Sequence, residues 1–72
     1  MRELKGIIEA SKLHGIPTFL RNLCFEYNVE LKLDIDSGWI FQTVRFTISG
    51  PEDVLSEVDT RIKTLMELFE KI

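Results

Sequence analysis

Residues 29–36 alternate without a fault: Val29, Leu31, Leu33 and Ile35 fall on one side, Glu30, Lys32, Asp34 and Asp36 on the other. A period of two with one polar side is the mark of a half-buried strand, because successive side chains of an extended backbone point to opposite faces. Ser37-Gly38 follows, then residues 39–49, rich in the aromatic and β-branched types that suit a pleated surface. A two-residue Ser-Gly reversal predicts a tight hairpin, with Gly38 tolerating positive φ. That reversal sets Asp36 opposite Trp39, Ile35 opposite Ile40, Leu33 opposite Gln42, Leu31 opposite Val44 and Val29 opposite Phe46. On the polar side Glu30 then meets Arg45, an opposite-charge pair worth roughly 0.2–1 kcal/mol. A slip of one residue would break both patterns together.

Two helical patterns flank other parts of the chain. Over residues 51–71, Val54, Val58, Ile62, Leu65, Phe69 and Ile72 recur at three- and four-residue steps, with Leu55 and Met66 beside them. Pro51 at the first helical position, followed by Glu52 and Asp53 at the positive end of the dipole, is a start signal. A shorter helix is predicted from Pro17 to about Tyr27, with Ile16, Leu20, Leu23, Cys24 and Tyr27 toward the core and Asn28 as its stop. Residues 2–11 are ambiguous. Leu4, Gly6, Ile8 and Ala10 alternate with Glu3, Lys5, Ile7, Glu9 and Ser11 as in a strand, whereas Leu4, Ile7, Ile8 and Ser11 also share a helical face. Gly6 tips the balance to the strand, since Gly costs a helix about 1 kcal/mol relative to Ala.

The expected fold is therefore α+β: a β-α-β-β-α chain whose helices cover one face of an antiparallel sheet. The first strand lies beside the third through a right-handed crossover. This is the ferredoxin-like pattern lacking its last strand. The alternative, α-α-β-β-α, would leave a two-stranded hairpin short of partners. In both, a strand edge stays uncovered and favours pairing with a second chain.

Seventy-two residues allow one domain, and a chain of this size buries only about 60–65% of the surface exposed on unfolding. Nine basic against twelve acidic residues, net charge −3, with the basic ones spread along the chain, weigh against an electrostatic nucleic-acid binder. No apolar run approaches the length of a transmembrane helix or secretory h-region, so no membrane role is expected. A single cysteine with a single histidine cannot fill a structural zinc site, and no cofactor or catalytic signature stands out. With no targeting segment and a lone cysteine, the expected compartment is cytoplasmic.

The layout resembles the ACT-like regulatory modules over roughly residues 4–66. The likeness is carried by the strand at residues 4–10, a Gly at the mouth of the first helix (His14-Gly15-Ile16), Phe19-Leu20 and Leu23. Asn28-Val29-Glu30-Leu31 then enters the second strand, and Val44-Arg45-Phe46-Thr47-Ile48 leads to a Gly before the last helix. The resemblance implies a small metabolite, such as an amino acid, held near the first strand-to-helix loop between paired modules. Leu13 and His14 stand where the family often has an acidic or amide residue, and the family's closing strand should follow the last helix.

Four sets of residues are weighed as candidates for function. Lys12, His14 and Gly15, with Thr18, surround a helix start, where backbone N–H groups attract anions; the bland reading is an ordinary loop, and Pro17 removes one donor. Trp39 and Phe41 fall on the hairpin's polar side together with Thr43 and Arg45. Contiguous apolar surface on a solvated face marks a contact, so these four form a candidate protein interface. Gly38-Trp39-Ile40-Phe41 also resembles the aromatic stretch of RNA-recognition motifs, where rings stack on bases. Against that, Glu3, Glu9, Glu30, Asp34 and Asp36 would share the face and repel phosphates. Cys24 reads as core filler, and Asp34 with Asp36 as a solvated face. The function expected is non-enzymatic: a regulatory or assembly module, a homodimer that binds a partner protein or small metabolite through its sheet face or strand edge. The alternative is a single-stranded nucleic-acid binder that uses Trp39 and Phe41 as a stacking platform.

Overall fold

The computed structural model describes the backbone of residues 2–70 and the side chains of residues 2–68. Strand β1 (Arg2–Ser11) leads through a single 3-10 turn (Lys12–His14) into helix α1 (Ile16–Tyr27); strands β2 (Glu30–Ser37) and β3 (Phe41–Gly50) precede helix α2 (Glu52–Glu70). The sheet is antiparallel in the order β1-β3-β2, so β3 is central and β1 and β2 are edges. Residues 2–11 are thus a strand, and the α-α-β-β-α alternative is excluded. Leu4, Gly6, Ile8 and Ala10 sit opposite Ile48, Phe46, Val44 and Gln42 of β3, a pairing that only the extended form allows.

The boundaries have local causes. Gly15 takes the left-handed conformation (φ 63°) between the 3-10 turn and α1, and its carbonyl accepts the first helical bond from the Phe19 N–H at 3.0 Å. Asn28 ends α1, also left-handed at φ 56°, a conformation that Asn tolerates better than most residues with a Cβ. Pro51 lies one step earlier than expected: its carbonyl accepts from the Leu55 N–H at 2.9 Å, which makes it the cap before α2 rather than the first helical residue. The positions expected to close the α2 stripe, Phe69 and Ile72, lie outside the described side chains.

Both helices cover one face of the sheet. Ile8, Ala10, Val44, Phe46 and Ile48 from the strands meet Ile16, Leu20, Leu23 and Cys24 of α1 and Leu55, Val58 and Ile62 of α2, all buried. Each large aliphatic side chain so removed from water stabilises the fold by roughly 1.5–3 kcal/mol. β2 contributes only the half-buried Leu31 and Leu33.

The hairpin register differs from the one expected. Leu33 faces Phe46, Leu31 faces Ile48, Ile35 faces Val44, Asp34 faces Arg45 and Asp36 faces Thr43. The strands end at Ser37 and Phe41, and residues 38–40 make the connection, closed by Gly38 N–H donating to the Phe41 carbonyl at 2.9 Å. Gly38 does not adopt positive φ, so the Ser-Gly reversal is not formed. The shift is even, so every side chain that stays in the ladder keeps its expected face, while Trp39 and Ile40, expected opposite Asp36 and Ile35, fall outside it in the connection. What changes is the partner: Leu33 gains an aromatic ring in place of Gln42, and Arg45 pairs with Asp34 rather than Glu30.

Candidate functional site

The sheet face away from the helices carries the odd residues of β1 and β3 and the even residues of β2. The register arranges them in rows: Glu3-Ser49-Glu30, Lys5-Thr47-Lys32, Ile7-Arg45-Asp34, Glu9-Thr43-Asp36, and finally Ser11 beside Phe41. Arg45 reaches Asp34 at 3.8 Å, both well exposed, so this ion pair contributes little to stability. The face is polar except for Ile7 and Phe41, 63% and 65% exposed.

Phe41 sits where the face dips into a hollow of about 450 Å³ shared with Glu9, Asp36, Gly38 and Thr43. Of the four residues expected to form an interface, Phe41 and Thr43 line this hollow, and Arg45 stands one row further along the sheet. Trp39 does not share the face. It lies in the connection between the strands, 95% exposed, because the hairpin turns two residues later than a Ser-Gly reversal would. Its neighbours there are apolar as well. The Lys12 N–H donates to the Ile40 carbonyl at 3.0 Å and ties the 3-10 turn to the hairpin tip. Leu13, next to Lys12, and Trp39, Ile40 and Phe41 are therefore placed at the same end of the sheet, all exposed. Leu13 escaped the sequence reading because nothing local says that residues 12 and 40 meet; Ile40, expected opposite Ile35 on the apolar side, is instead 61% exposed in the connection.

Lys12, His14, Gly15 and Thr18 lie together around the start of α1. Ser11 caps the 3-10 turn by accepting from the Leu13 N–H at 3.2 Å. Lys12, His14 and Thr18 are exposed. Neither the hollow at Phe41 nor a groove of about 490 Å³ between α1 and β2 includes these four residues. That groove, lined by Arg21, Cys24, Phe25, Val29, Leu31 and Leu33, exists because α1 leaves the outer flank of β2 uncovered; Phe25 is 89% exposed at its rim.

Cys24 is buried and reduced, and burial pushes its thiol pKa up, the opposite of what a nucleophile needs. Among the described residues no three His, Cys, Asp or Glu side chains come together as metal ligands, and no helix is long and apolar enough to cross a membrane. No family model matches this chain, and neither a curated protein nor a solved structure matches it.

Proposed function

We propose that the chain is a non-enzymatic assembly module of the cytoplasm, ferredoxin-like in topology without the fourth strand, that pairs with a second copy and grips a partner protein at its hairpin end. The observation that carries this reading is the exposed apolar cluster of Leu13, Trp39, Ile40 and Phe41. Aromatic side chains bury large rigid area at small entropic cost, so such rings dominate binding energy where they meet a partner. The carboxylates of Glu9 and Asp36 flank Phe41 and favour a protein over a nucleic acid, whose phosphates they repel.

The test uses extracts of the source cells and the full chain carrying either Trp39→Ala or Phe41→Ala. We expect a partner retained by the wild type and lost from both variants, with the urea midpoints unchanged because the two rings are exposed. Retention indifferent to both changes overturns the hairpin-end contact. Binding of single strands that weakens with salt and with Phe41→Ala replaces it with the stacking reading. A thermal shift with amino acids that requires His14 replaces it with the ACT-like reading.

A further inference from the structure

We infer that two copies of the chain join along their β1 edges, antiparallel, in a two-fold register centred on Ile7. The inference rests on the assembly reading above and specifies its self-pairing surface.

The backbone sets the stage. The Lys12 N–H points at β3, donating to Ile40, and alternate residues of a regular strand direct their N–H and C=O groups to opposite sides. The even residues of β1 are therefore bonded to β3, while Glu3, Lys5, Ile7, Glu9 and Ser11 turn their backbone groups to the free edge and their side chains to the open face. The ladder with β3 runs unbroken over all ten residues of β1, with no bulge and no proline. Such an edge is competent to receive another strand.

Charge then selects the register. Only even shifts match outward backbone groups with outward backbone groups, and two of these engage nearly the whole strand. A pairing centred on Gly6 sets Glu3 against Glu9 of the other copy, twice, and Lys5 against Ile7. A pairing centred on Ile7 sets Lys5 against Glu9, twice, Ile7 against itself, and Glu3 against Ser11. Directly opposed like charges destabilise a sheet and opposite charges stabilise it, so the second register wins. It also matches large with small on the helix-covered face, Leu4 with Ala10 and Ile8 with Gly6, and it covers the exposed Ile7. Lys5 lies 4.0 Å from Glu3, both exposed, a pair loose enough for Lys5 to turn.

The β2 edge has no such solution. Every self-pairing that overlaps most of β2 opposes carboxylates even where Lys32 meets one: centred on Leu33, Lys32 faces Asp34 but Glu30 faces Asp36, and centred on Asp34, Lys32 faces Asp36 but Asp34 faces itself; on β1 the register centred on Ile7 opposes no like charges within the strand. Joined through β1, two copies form one continuous sheet in the order β2-β3-β1-β1-β3-β2 with all helices on one side. The two Ser11 residues stand roughly 27 Å apart at about 3.4 Å per residue, so the two hairpin ends point in opposite directions and a dimer offers two separated contacts.

Cross-linking tests the register in the full chain with Cys24→Ala as background. Ile7→Cys alone closes a covalent dimer under mild oxidation, since directly bonded antiparallel pairs hold their Cα atoms about 5.5 Å apart, within disulfide range. Lys5→Cys mixed with Glu9→Cys yields the hetero-linked dimer, and neither alone links. At low salt, Lys5→Glu raises the dimer dissociation constant at least about tenfold, and Lys5→Glu with Glu9→Lys restores it to within a few-fold. A dimer by light scattering that links through Ile7→Cys with Lys5→Cys, or through neither pair, overturns the inference but leaves the assembly reading. A chain that stays monomeric at high micromolar concentration sinks the inference and the self-pairing part of that reading together.

Discussion

Gly6 shows how a single missing side chain organises the sheet. It lies opposite Phe46 in the ladder, and a Cβ placed there would come within 2.5 Å of the tip of the Phe46 ring. The ring is buried and fills the space over the glycine, so this clearance is part of the core. Gly6→Ala is expected to lower stability by about 1–3 kcal/mol, the usual cost of overpacking. Phe46→Leu vacates part of the space, so the double variant should lose less than the sum of the two singles in urea denaturation. Additive losses would show that the ring moves aside without strain. The sequence offered Gly6 only as an argument against a helix; its clearance role depends on which residue stands across from it. Asn28, by contrast, was legible as a helix stop because its left-handed conformation is a local property of the chain.

The hairpin makes the same point for a whole element. Alternation places each paired side chain of β2 and β3 on the correct face, while the turn lies two residues later than the Ser-Gly reversal predicts. Both arrangements turn the same residues of the paired segments toward the helices, so alternation cannot choose between them. The choice rests on longer-range contacts: the later turn brings Leu33 and Leu31 against Phe46 and Ile48, side chains already held by β1 and both helices. Gly38 provides the check. Outside the left-handed region, Gly38→Ala gains about 0.4–1 kcal/mol from the unfolded state, which offsets the tight 3.2 Å approach of the new Cβ to the Phe41 carbonyl, so the net change should be small. A Ser-Gly reversal with Gly38 at positive φ would make the same change cost roughly 1–2 kcal/mol. The urea midpoint of this variant distinguishes the two turns, and nuclear Overhauser contacts between Leu33 and Phe46 would report the register directly.

Taken as a whole, the molecule separates its two proposed surfaces: the β1 edge runs along one flank, and the apolar cluster occupies the hairpin end. Trp39, the sole tryptophan, reports on the second without disturbing the first. Its emission in the native chain should sit near that of tryptophan in water and move little on unfolding. Pairing through β1 should leave the emission unchanged as concentration rises, whereas a blue shift on self-association would relocate the dimer contact to the hairpin end. The element types, the helix ends and the side chains that turn inward followed from periodicity and from glycine, proline and asparagine chemistry, because those are properties of neighbouring residues. Which residue faces which across the hairpin, and that Lys12 bonds Ile40 and so sets Leu13 at the hairpin end, were settled by the packed chain. Those relations join residues far apart in sequence, and their energies exist only once the helices close over the sheet.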